Sequence, residues 1–152
     1  MNTPNLSEKK FTLRQANQML PLVQSISTDI VELTAEVRQT RERLGQLGER
    51  RLGGSPQDIY RTEVLSIEKI VLQQTQAIDV YILELVELGL RPTRVTDGFV
   101  DFPARRQDEP VCLCWKSGET DVRYWHRATE TCEQRQLVDL ELIRQSGDHA
   151  FV

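Results

Sequence analysis

Residues 16–47, ANQMLPLVQSISTDIVELTAEVRQTRERLGQL, place Ala16, Met19, Val23, Ile26, Ile30, Leu33, Val37, Thr40, Leu44 and Leu47 in alternating steps of three and four. Only Thr40 breaks the apolar character of this stripe, so the spacing predicts a long helix with a narrow, coiled-coil-like seam. Thr12 followed by Gln15 forms a capping box, and Phe11 stands where a staple residue belongs. Pro21 removes the hydrogen bond to the carbonyl of Asn17, which predicts a kink or a helix restarting at that proline.

A second stripe runs through Tyr60, Val64, Ile67, Val71, Gln74, Ile78, Tyr81, Leu85 and Leu88. Ser55-Pro56-Gln57-Asp58 reads as its N-terminal cap, and Gly89 with Leu90 reads as a Schellman-type end before Pro92. The stretch Gly45 to Gly54, rich in glycine and arginine, is short enough to join the two helices as an antiparallel hairpin. Each helix would be about 50 Å long at roughly 1.5 Å per residue. Leu65, Leu72, Ile82, Leu83 and Val86 fall outside the second seam and are expected to cover the C-terminal part or another subunit. A two-helix hairpin alone buries little surface, so a third layer or a dimer is required.

After Pro92 the period changes to two. Asp97-Gly98 marks a turn, Phe99–Phe102 a short strand, and Pro103 its stop. Val111–Ser117 and Thr120–Arg127 flank Gly118-Glu119, which suits a two-residue hairpin. That register pairs Trp115 with Val122, Leu113 with Tyr124 and Val111 with His126 on one face. Cys112, Cys114 and Trp125 then lie on the other. In the tail, Thr131 with Gln134 opens a short helix, and Val138, Leu140 and Leu142 alternate like a strand. The expected architecture is α+β in a single domain, 1–152. Helix one occupies 12–52, helix two 55–89, a small three-stranded antiparallel sheet 95–127 and a short tail 128–152.

FTLRQANQMLP (11–21), GFVDFPA (98–104) and VCLCWKSGETDVRYWH (111–126) resemble a bacterial domain-of-unknown-function family, number 2203. The resemblance covers roughly Phe11 to Val138. Glu133-Gln134-Arg135-Gln136 loosely matches that family's G-R-Q ending, with Gln134 where glycine is usual. The resemblance implies the fold and brings no activity.

The chain has 152 residues, 39% hydrophobic and 28% charged, with a net charge of −4, which argues against a generally basic nucleic-acid binder. No apolar run reaches the roughly 18 residues that span a bilayer, and Met1–Lys10 has no apolar signal region. Three cysteines then point to reduced thiols in the cytoplasm. Phosphate-loop, dinucleotide, nucleophile-elbow and zincin motifs are all missing.

His126, at the end of an apolar face, is the best candidate for a general base, with Asp101 as its polar partner and Trp115 or Trp125 as a ligand wall. The competing reading is a buried histidine that fixes the strand register. Cys112, Cys114 and Cys132 with His126 make a zinc-compatible set. Their spacing is unlike a zinc knuckle, and the register above turns His126 away, so no metal or other cofactor is expected. At the hairpin tip Arg38, Arg41, Arg43, Arg50 and Arg51 outnumber Glu42 and Glu49, giving +3 over residues 38–54. Arg105 and Arg106 are expected to be neutralised by neighbouring Asp108 and Glu109. The second helix region, 55–90, has six acids and two bases. The leading functional expectation is a non-enzymatic cytoplasmic interaction or adaptor protein, a homodimer through its helices, with no membrane contact. The alternatives are a small-molecule-binding or metal-dependent enzyme around His126 and Asp101, and an RNA-associated factor using Arg41, Arg43, Arg50 and Arg51.

Overall fold

The computed structural model describes residues 9–51 and 57–145, with the backbone alone described at 49–51 and 57–59. The Ser55–Pro56 cap, the side chains of Arg50 and Arg51, and His149 lie outside that description. Helix α1 spans Leu13–Arg51 and α2 spans Gln57–Glu87. The α1 helix is continuous through Pro21, so the restart anticipated there does not occur. It also runs through Gly45 and Gly48, because Leu44 and Leu47 continue the seam beyond the expected loop start and Leu47 is buried. Two interior glycines cost roughly 1 kcal/mol each relative to alanine, which the continued packing offsets.

Two of the helix ends named in the sequence are built as expected. Thr12 Oγ1 accepts from the backbone N–H of Gln15 at 3.1 Å, and Gln15 Oε1 accepts from the N–H of Thr12 at 3.0 Å. At the other end Gly89 has φ +98°, Leu90 N–H donates to the Leu85 carbonyl and Gly89 N–H to that of Val86. These are the two bonds of a Schellman motif, closed by the buried pair Leu85 and Leu90.

Four antiparallel strands follow, in the order β1 (Phe99–Arg106), β2 (Glu109–Lys116), β3 (Tyr124–Arg127) and β4 (Gln136–Leu137). The fold is α+β as expected, with four strands where three were anticipated. Pro103 does not stop β1. Its carbonyl accepts from Phe11 N–H at 2.7 Å on the outer edge, so its nitrogen also faces outward, where no ladder bond is lost. The tail contains the Cys132–Gln134 3-10 turn, capped by Thr131 and Gln134 as foreseen. Leu140–Gln145 forms a helix, α3, in place of the expected strand, with Asp139 Oδ1 accepting from Leu142 N–H at its start. Nor does the Arg105–Arg106 turn neutralise itself. Arg106 binds Asp139 at 2.7 Å, and Glu109 binds Arg127.

The core lies between one face of the sheet and the helices. Val100, Phe102, Ala104, Val111, Leu113, Trp115 and Trp125 meet Phe11, Ala16, Leu20, Val23, Ile26 and Ile30. Phe11 crosses Phe102 edge-on at 5.4 Å. The cover therefore comes mainly from α1, and of the surplus apolar residues expected on α2 only Ile82 packs against the core. Leu65, Leu72, Val80, Leu83 and Val86 remain exposed. No helix among the described residues is long and apolar enough to cross a membrane.

The join between α1 and the sheet is polar. Asn17 Oδ1 accepts from Val122 N–H at 2.8 Å, and its Nδ2 donates to the Val122 carbonyl at 3.2 Å. Replacing Asn17 with alanine strands both groups, and is expected to lower the unfolding free energy by about 1–3 kcal/mol in urea melts. Ser27 is fully buried on α1 and its hydroxyl has no hydrogen-bond partner among the described residues. Ser27→Ala should therefore raise stability by roughly 0.5–1 kcal/mol in the same measurement.

Candidate functional site

The β2–β3 connection decides where the polar candidates go. Strand pairing begins at Tyr124, and residues 117–123 form a loop instead of a two-residue turn. Glu119 closes its first part, with its side chain accepting from Lys116 N–H and its carbonyl from the Trp115 indole N–H at 2.9 Å. Val122 is taken by Asn17 and so cannot pair with Trp115. The resulting register pairs Leu113 with Trp125, Cys112 with His126 and Cys114 with Tyr124. This is one residue away from the register expected of a tight hairpin, and a one-residue shift turns every side chain of the strand over.

Trp115 and Trp125 consequently lie together in the core, and His126 joins Cys112 and Cys114 on the opposite face. Asp101, which pairs with Cys114 across β1 and β2, lies on that face too. The anticipated site, with His126 and Asp101 walled by tryptophan at the sheet–helix junction, is thus divided. The structure unites its polar pair and places its aromatic wall on the other side of the sheet. Arg41 and Arg43 are exposed on the distal half of α1, and Arg41 lines a groove with Thr96, three residues before β1.

Over the far face folds the 3-10 turn containing Cys132. Asp101, Cys114, His126 and Cys132 are all buried, and one potential ligand atom of each lies within 4.8 Å of every other. His126 Nε2 is 3.1 Å from Asp101 Oδ1, and Nδ1 is 2.8 Å from the Arg127 carbonyl. Burial works against protonation of this imidazole, but Asp101 and the Arg127 carbonyl outweigh it, and its pKa is raised. Burial pushes the Cys114 thiol well above its ordinary value, with Asp101 and Cys132 adding to the effect and Arg135 opposing it. Cys132 is raised by burial and then by Asp101, while its hydrogen bond with Cys114 lowers it. Arg135 completes the cover. It pairs with Glu119 at 2.7 Å and lies 4.2 Å above the ring of Tyr124.

All four residues of the cluster are buried. The grooves beside Thr34, Val37, Arg38 and Thr96, and beside Phe11, Leu13 and Leu142, are lined by neither Asp101 nor His126. Sequence reasoning found all four residues but scattered them over two faces. The available signal was the pair of tryptophans. If Trp115 and Trp125 are both inside, the neighbours Cys114 and His126 must both point the other way.

The family model described as "Uncharacterized conserved protein (DUF2203)" matches residues 9–138, which span both helices, all four strands and the four clustered residues. No curated protein and no solved structure matches the chain. Because Cys112, Cys114 and Cys132 are all buried, a soluble thiol reagent should modify none of them quickly in native protein. All three should react at once in denaturant, and rapid native labelling of any one would contradict the packing.

Proposed function

Since the chain belongs to the DUF2203 family, whose description carries no activity, we propose from its surface that it is a non-enzymatic cytoplasmic interaction protein. It works as a homodimer joined through α2. The observation that carries this reading is the exposed apolar stripe Leu65, Leu72, Val80, Leu83 and Val86, left over after α2 has filled its seam with α1. Leu65, Leu72 and Leu83 fall within about 20° of one line on the helix, and Val80 and Val86 flank it at about 60° on either side, at roughly 100° per residue.

Charge selects a second copy as the occupant. Residues 70–88 of α2 contain the acids Asp79, Glu84 and Glu87 and no base, whereas the distal part of α1 presents exposed Arg38, Arg41 and Arg43. Two copies crossing antiparallel on α2 bring the acidic base of one hairpin beside the basic tip of the other. The same crossing sets Leu72 near Val80 of the second copy and Leu65 near its Val86. An isologous contact of this kind is self-complementary by symmetry. The complete burial of Asp101 and His126 favours this reading over an enzyme built around them, and the second copy supplies the counter-charge that an RNA-binding tip would otherwise need.

Light scattering on a sizing column should give about 35 kDa, twice the chain mass of 17.5 kDa. Leu72→Asp with Leu83→Asp should return a folded monomer, since each buried leucine at such a contact is worth about 2 kcal/mol. Dimer strength should also fall with added salt. A wild-type chain that stays monomeric at high concentration would contradict the proposal.

A further inference from the structure

We propose that Asp101, Cys114, His126 and Cys132 form a closed, four-ligand site for one zinc ion. The argument begins with distance. Zinc–sulfur bonds of about 2.3 Å and zinc–nitrogen or –oxygen bonds of about 2.0–2.1 Å put tetrahedral ligand atoms roughly 3.3–3.8 Å apart. The four candidate atoms are all within 4.8 Å of one another, and the Nε2–Oδ1 pair is already at 3.1 Å. Small side-chain rotations close the remainder.

The second argument is the hydrogen bonding of His126. A backbone carbonyl can only accept, so the contact at 2.8 Å from Nδ1 to the Arg127 carbonyl puts a proton on Nδ1. In the neutral ring, Nε2 then directs a lone pair at a carboxylate oxygen of Asp101, acceptor against acceptor, inside the protein. A cation between them satisfies both. An Nδ1–H fixed by a carbonyl is also the usual support for a histidine that binds metal through Nε2.

The third argument is the donor set. Two sulfurs, one imidazole nitrogen and one carboxylate oxygen suit zinc and are poor for magnesium or calcium, which prefer oxygen throughout. The ligands come from β1, β2, β3 and the Cys132–Gln134 turn, so the ion would fasten four separate segments. With four protein ligands and no exposed side, the site has no position for substrate, which makes its role structural. Binding converts the two thiols to thiolates and releases their protons to solvent. Imidazole contributes its Nε2 lone pair and Asp101 an existing negative charge.

Cys112 provides the internal control. It is buried on the same face and pairs with His126, but does not belong to the cluster. The test uses the full chain purified from zinc-supplemented cells without chelator. Elemental analysis should find about one zinc per chain, falling to less than about a tenth in Cys114→Ser and Cys132→Ser and unchanged in Cys112→Ser. Should Cys114→Ser fail to fold, the wild type is stripped of metal and titrated with cobalt, which should give the intense visible bands of a tetrahedral thiolate site. Background zinc together with no such cobalt spectrum overturns the proposal and leaves a buried imidazolium–carboxylate pair. A Cys132→Ser chain that keeps its full zinc content overturns it as well.

Discussion

Asn17 takes both backbone groups of Val122, and that one amide side chain sets the parity of the sheet. Held against α1 at 2.8 Å and 3.2 Å, Val122 is unavailable to the β2 ladder. The chain must run on to Tyr124 before pairing starts. With Leu113 opposite Trp125, both tryptophans enter the core, and every alternate residue is committed to the far face. A register shifted by one residue, with Leu113 opposite Tyr124, would have buried Tyr124 in place of Trp125 and turned His126 toward the helices. The polar cluster therefore depends on a contact made on the opposite side of the sheet from it.

The same geometry divides the helices unequally. The α1 helix serves two partners, presenting Ala16, Leu20 and Val23 within the core while its length carries the seam with α2. Serving two partners buries most of its apolar surface, with Leu22 the exception. Among the described residues the α2 helix packs chiefly on α1, and its outer stripe is exposed. Exposed apolar residues scattered singly need no account, but five fall on one side of α2, with Gln76 and Asp79 interspersed. The apolar excess of the sequence is thus real, and its position is fixed by which helix the sheet chose as its cover.

Local rules were legible in the sequence wherever a few neighbouring residues decide the outcome. The two seams, the Thr12–Gln15 box, the Gly89 end of α2 and the Thr131–Gln134 cap each follow from spacings of three to five residues, and each is built that way. What the sequence hid was long-range. Pro103 reads as a strand stop until it is known that its nitrogen lies on an outer edge. The parity of β3 rests on Asn17, 105 residues away from Val122. The four buried polar residues share no compact motif, because Asp101, Cys114, His126 and Cys132 arrive from four different elements. Each residue type was conspicuous, but their meeting point was not.

The far face of the sheet explains why polar groups gather there at all. Covering it with apolar surface would take another helix of several turns, and the segment after β3 supplies a three-residue turn and a two-residue strand, while α3 places Leu142 in the core on the other side. Elements this short bury too little area to hold by the hydrophobic effect. Directional interactions take its place. Arg135 joins Glu119 and stacks on Tyr124, and Arg94 ties Asp97 to Glu133. These pairs lie at the rim, where solvent weakens them. Beneath them lie a buried acid, an imidazole and two thiols, with the Arg127 carbonyl on His126 Nδ1 and Arg135 beside Cys114. Such a group is costly unless each member is satisfied, and the proposed ion would satisfy all four at once.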